Sequence, residues 1–190
     1  APCIALISAL PSQTRSDWAD TLMKVIDLRP EHISCYGLTL EEGTPMYKYK
    51  GSPFLPSDDE QADMYLYAVD QLAHYGYAQY EISNFAIRGY ESRHNLRYWR
   101  LEDYLGFGAG GGPPAGGGGR ERSSEYLMLG MRTVRGINAA EYTRICLADF
   151  APIEGTLQIF AKKGWAVKEE DGSWHFTPPG FLLSNLLIGA

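Results

Sequence analysis

The order of the first three segments constrains this chain most. "CIALISAL" (3–10) is a short apolar run closed by Pro11, which reads as a buried strand followed by a turn. "TRSDWADTLMKVIDLRP" (14–30) places Trp18, Leu22, Val25 and Ile26 on one helical stripe, with Thr14 or Ser16 to cap it and Pro30 to stop it. "HISCYGLTL" (32–40) is then a second strand. Two strands joined by one helical crossover imply parallel pairing, so the chain belongs to the α/β class.

The unit repeats after "EEGTPMYKYKGSPFLP" (41–56), whose glycine and proline content argues against regular structure. Ser57 and Glu60 form a capping box for a helix with Tyr65, Ala68, Val69 and Leu72 on one face, and Gly76 marks where the chain leaves it. "AQYEIS" (78–83) is a third strand. Three strands interleaved with two helices predict a piece of an α/β barrel or open sheet. The chemistry of such folds gathers at the C-terminal strand ends, here Pro11–Thr14, Thr39–Thr44 and Ser83–Asn84.

"GFGAGGGPPAGGGGR" (106–120) contains a literal G-x-G-x-x-G at Gly106, Gly108 and Gly111. A dinucleotide fingerprint needs a helix to begin there, and Pro113-Pro114 follow instead, so the segment reads as a linker or an ill-defined stretch. Beyond it "EYLMLGMRTV", "AAEYTRICLADF" and "EGTLQIFAKKGW" are predicted helices. "WAVKEEDGSWHFT" is a hairpin turning at Asp171-Gly172, and a last apolar helix follows Thr177–Gly180. Helices, a hairpin and a helix make a small winged-helix-like module. The expected organisation is 1–110, a linker at 111–122, and the module at 123–190.

Charge narrows the partners. The net charge is −6, and residues 120–190 hold eight basic and eight acidic residues, which leaves nine basic against fifteen acidic in 1–119. Nucleic-acid affinity comes largely from neutralised phosphates, so neither half is built for it. Cys3, Cys35 and Cys146 lack the close spacing of a zinc site or dithiol, which points to reduced thiols in a cytoplasm. No apolar run reaches membrane-spanning length, and the chain begins abruptly, as a fragment would.

The densest cluster of chemistry is "ESRHNLRYWR" (91–100). If it is helical, His94 and Tyr98 share one face and Asn95 and Trp99 another; if extended, His94, Leu96 and Tyr98 point one way. Either arrangement sets an imidazole beside an aromatic wall, and the flanking arginines suit carboxylates. Glu81, inside a predicted strand among aromatics, is either ion-paired with a nearby arginine or part of a site. Most of the thirteen tyrosines and four tryptophans are core or boundary residues.

Taken together, "ALPSQT" (9–14), "HISCYGLTLEEGTPMYK" (32–48), "QADMY" (61–65), "GYAQYEISNFA" (76–86), "SRHNLRYW" (92–99) and "YLGFGAG" (104–110) closely resemble the oxygen-independent coproporphyrinogen III oxidase family of radical S-adenosylmethionine proteins. "EYLMLGMRTVRGI" and "TPPGFLLSN" resemble the family's C-terminal module. His-Asn-x-x-Tyr-Trp at 94–99 is most similar to the haem-chaperone branch.

The resemblance implies the C-terminal part of a radical SAM partial (β/α) barrel followed by the winged-helix-like module. It also implies a 4Fe-4S cluster and S-adenosylmethionine in the intact protein. The family's cluster of three cysteines is absent from this sequence, as is its glycine-rich methionine-binding motif, so the chain alone is not expected to perform radical chemistry. By resemblance, Tyr36 and Gly37 line the adenosine end and Ala5 stands where relatives carry an Asp. His94 becomes a candidate axial ligand for haem iron, with Tyr98 or Trp99 against the macrocycle, arginines toward propionates, and Glu81 a further cofactor-site candidate. Partners are then a tetrapyrrole and a haem-acceptor protein. The alternatives are an oxidase that decarboxylates coproporphyrinogen III in the intact protein, or a non-catalytic interaction module.

Overall fold

The computed structural model describes residues 2–100 and 119–188. The described residues divide into two compact units, Ala1–Glu91 and Ser92–Ala190.

In the first unit, strand β1 (Cys3–Ser8) and strand β2 (His32–Gly37) pair in parallel with Cys3 opposite His32, Ala5 opposite Ser34 and Ile7 opposite Tyr36. The crossover is helix α1 (Arg15–Asp27). Thr14 is its cap: the hydroxyl accepts from the Asp17 amide, and the Asp17 carboxylate accepts from the Thr14 amide. The second crossover is helix α2 (Asp58–His74), capped the same way by Ser57 and Glu60.

Both helices pack on one face of the sheet. Trp18, Leu22, Val25 and Ile26 of α1 and Met64, Ala68 and Leu72 of α2 form a single core with Ile33, Cys35 and Phe85. The Trp18 indole N–H donates to the Met64 carbonyl at 2.9 Å, which ties α1 to α2 without leaving a buried donor unmet. The buried stripe on α2 is Met64, Ala68 and Leu72; Tyr65 and Val69, expected on the same face as Ala68 and Leu72, are half-buried beside it.

Two expectations need correction. Within 41–56 the chain forms a 3-10 turn, Pro45–Tyr49, because Pro45 presets the first residue after Thr44. "AQYEIS" is also not one strand: β3 (Ala78–Glu81) turns at once into β4 (Asn84–Ala86), which runs antiparallel both to it and to β2. The sheet order is therefore β1-β2-β4-β3, a mixed sheet. Ser83–Asn84 accordingly lies beside the middle of β2, where the Cys35 amide donates to the Ser83 carbonyl at 2.8 Å. It also lies in the turn that follows the C-terminal end of β3.

The second unit contains helix α3 (Arg93–Trp99), α4 (Gly119–Gly130), α5 (Ala139–Cys146) and α6 (Ala151–Lys162), then a hairpin of β5 (Ala166–Lys168) and β6 (Trp174–Phe176). The apolar tail folds as two short helices, α7 (Pro178–Leu182) and α8 (Ser184–Ile188), rather than one, with the break at Leu183. The core is aromatic: Tyr142 stands between Tyr126 and Phe150, and Phe176 between Phe160 and Phe181. Gly136, at φ +68, lets the loop before α5 lie against the Trp174 backbone; a Cβ there would fall inside the Trp174 carbonyl.

The tract 106–118, with its G-x-G-x-x-G, lies outside the described residues, and the backbone is helical from Gly119. Among the described residues no helix is long and apolar enough to cross a membrane.

Candidate functional site

Because strand residues alternate, the face of the sheet opposite the helices carries Cys3, Ala5 and Ile7 of β1, His32, Ser34 and Tyr36 of β2, and Asn84 of β4. This row is largely polar. Its buried members are hydrogen-bonded, with the Ser34 hydroxyl donating to the Asn84 side-chain carbonyl and His32 contacting both Cys3 and Tyr80.

At the C-terminal end of β2, Tyr36 is 43% exposed and Gly37 is exposed, with open space where a Cβ would stand. Ser8 fixes this end. Its carbonyl accepts from the Leu38 amide at 3.0 Å, and its hydroxyl donates to the Tyr36 carbonyl at 3.3 Å. The site therefore offers an aromatic ring beside a backbone that a flat ligand can approach. Ala5 is exposed on the same face and supplies no carboxylate for a ribose.

Glu81 sits at the bulge between β3 and β4, opposite Asn84 and 1% exposed, and its carboxylate accepts from the Ser83 amide at 3.1 Å. Its charge, together with burial, helps hold the Tyr65 phenol well above the ordinary tyrosine range, burial being the larger cause.

The segment 93–99 is helical, so His94 and Tyr98 share a face. Ser92 caps it by accepting from the Asn95 amide. His94 is exposed and has no hydrogen-bond partner among the described residues. Tyr98 is 58% exposed and meets the half-buried Trp99 edge-on, with ring centroids 5.6 Å apart. Of the six site residues singled out in the sequence, Tyr36, Gly37 and Glu81 belong to the first unit and His94, Tyr98 and Trp99 to the second.

The thiols do not suit a 4Fe-4S cluster. Cys35 is buried in the core, which pushes its thiol up to about 12; burial also raises the Cys146 thiol, and that residue lies in the other unit. Among the described residues no group of three or more His, Cys, Asp or Glu side chains is placed to hold a metal ion. On α3 the exposed imidazole of His94 offers a nitrogen donor.

The fold defines a class. Over 98% of its length the chain superposes on the radical SAM coproporphyrinogen III oxidase HemN from Escherichia coli, with a TM-score of 0.72 at 18% identity, and covers 54% of that chain. Residues 119–183 match the family described as HemN C-terminal domain. The chain is 33% identical over 234 residues to the heme chaperone HemW of Synechocystis, covering 97% of this chain and 57% of the relative. It is 45% identical over 109 residues to HemW of Lactococcus lactis, covering 56% of this chain and 29% of the relative. A mitochondrial radical S-adenosyl methionine domain-containing protein 1 of Danio rerio is 40% identical over 109 residues, 56% of this chain and 24% of the relative.

The fold is thus that of the HemN-type radical SAM proteins. Within that fold, residues 119–183 carry the HemN C-terminal domain, and over nearly its whole length the chain is homologous to proteins named heme chaperone HemW. It spans somewhat over half the length of the relatives it matches most fully.

Proposed function

We propose that this chain belongs to a radical SAM protein that binds haem and passes it to an acceptor protein, with α3 as the haem-holding element. The observation that carries this reading is the exposed imidazole of His94, with no hydrogen-bond partner among the described residues, one helical turn from the exposed ring of Tyr98. Relatives named as heme chaperones support it. In this reading His94 would supply a nitrogen ligand to the iron, Tyr98 and Trp99 would lie against the macrocycle, and basic side chains of the same segment would meet the propionates.

Tyr36 and Gly37 serve the adenosine end of an S-adenosylmethionine site in the longer protein, and Glu81 serves it by holding the β3–β4 hairpin in register. The cluster would be held by residues other than the cysteines described above; this chain contributes binding and orientation. A cytoplasmic setting with free thiols suits such a role.

The test is titration of haem into the protein, followed at its main absorption band. Saturation at one haem per chain, with no carbon dioxide released from coproporphyrinogen III, is expected. Release of carbon dioxide from that substrate without saturable haem uptake would replace the chaperone by the oxidase, and absence of both would leave an interaction module.

A further inference from the structure

The face of the sheet opposite the helices holds a second constellation, away from the end occupied by Tyr36 and Gly37. Cys3 and His32 are register partners on β1 and β2, and Cys3 Sγ lies 3.0 Å from His32 Nδ1. The other ring nitrogen, His32 Nε2, lies 2.8 Å from the Tyr80 hydroxyl. Cys3 is exposed, while His32 is 6% exposed.

A neutral imidazole carries one N–H, so one nitrogen donates and the other accepts. Sulfur is a poor acceptor, which favours the tautomer with Nε2–H donated to the Tyr80 oxygen and the Nδ1 lone pair turned to the thiol. Burial lowers the pKa of His32 and so keeps the ring neutral, as a proton acceptor must be. The result is a nucleophile, a base in contact with it, and a third group that orients the base.

We propose that Cys3, His32 and Tyr80 form a reactive-thiol triad that exchanges with low-molecular-weight disulfides. Cys3 Sγ attacks one sulfur of the disulfide as its proton passes to His32 Nδ1. The S–S bond breaks, the departing thiolate takes that proton, and Cys3 is left in a mixed disulfide with the other half. One thiol is oxidised, one is released, and no further reactant is needed. His32 touches the reacting thiol and is the catalytic base; Tyr80 acts through it as a positioning residue. The other two thiols provide internal controls, because Cys35 and Cys146 are buried and their thiols are shifted away from ionisation.

The test is the rate of mixed-disulfide formation with glutathione disulfide at neutral pH, mapped by mass spectrometry to the peptide containing Cys3. The synthetic peptide of residues 1–10 supplies the unassisted rate. The folded protein is expected to react at least about ten-fold faster than that peptide, with Cys35 and Cys146 silent, and H32Q to fall to the peptide rate. Y80F keeps the fold's apolar contacts. It should lower the rate less and change the nitrogen chemical shifts of His32 away from a fixed Nε2–H tautomer, an effect a merely structural role would not produce. A folded-protein rate no higher than the peptide's, or an unchanged rate in a folded H32Q, would overturn the proposal.

Discussion

In the first unit the helices bury one face of a four-stranded sheet and leave the opposite face to thiol, imidazole, hydroxyl and amide groups. In the second unit, aromatic rings from successive helices close onto a two-stranded hairpin, and Gly136 and Gly180 press backbone against the carbonyls of Trp174 and Trp165. One unit spends its packing on presenting a surface, the other on sealing a core. On the sheet's polar face the buried groups pair, Ser34 with Asn84 and His32 with Cys3 and Tyr80, and close backbone approach is tolerated in the second unit because glycine has no Cβ.

The largest effect expected from this contrast is in the second unit. Gly136→Ala combines a left-handed backbone with a clash against the Trp174 carbonyl, and should cost more than about 3 kcal/mol. Residue-resolved hydrogen exchange should show protection lost in α5 and the β5–β6 hairpin while α1 and α2 keep theirs. Equal loss in both units would break the comparison.

A smaller effect belongs to the first unit and to pH. Cys35 keeps its proton in the folded state up to about 12, whereas in the unfolded chain the thiol ionises near 8.5. Stability from this group is intact below the lower value and is lost as pH rises from it toward the higher one, on the order of 2 kcal/mol by pH 10. Denaturant titrations of the chain and of Cys35→Val across this range should show the alkaline slope flattened in the variant; identical slopes would contradict the assignment. His32 works at the acid end. Its folded pKa is lowered by burial, so stability falls as pH drops through the unfolded value near 6.5.

The smallest effect is local. Thr14→Ala removes the cap of α1 and should cost about 1 kcal/mol, read as an earlier midpoint for the first unit without a change in denaturant slope. A cost near zero would show that the buried stripe of α1 fixes the helix start unaided.

The parts legible in the sequence were those whose signal is local. Thr14 and Ser57 announce their helices through residues three positions on, and the period of Trp18, Leu22, Val25 and Ile26 names the buried face of α1. The β3–β4 hairpin was not legible, because a three-residue strand after a bulge is too short to show alternation and its pairing with β2 is non-local. Of the face shared by Tyr65, Ala68, Val69 and Leu72, Ala68 and Leu72 are buried and Tyr65 and Val69 half-buried, while Met64, which the face did not include, completes the core stripe.

At the sites the same division holds. His94 and Tyr98 could be set on one face from spacing alone once the segment is a helix. The contact of Cys3 with His32 and Tyr80 depends on strand register across 29 and 48 positions, and no short stretch of sequence carries it. The one available signal was that both Cys3 and His32 open predicted parallel strands.

The central claim, that α3 presents a haem ligand, is tested most directly by the spectrum of haem bound to the protein and to His94→Ala. The account predicts a ligand-field signature of histidine coordination in the parent protein, and in the variant loss of that signature with affinity weakened at least about ten-fold. An unchanged spectrum and affinity in His94→Ala would contradict it.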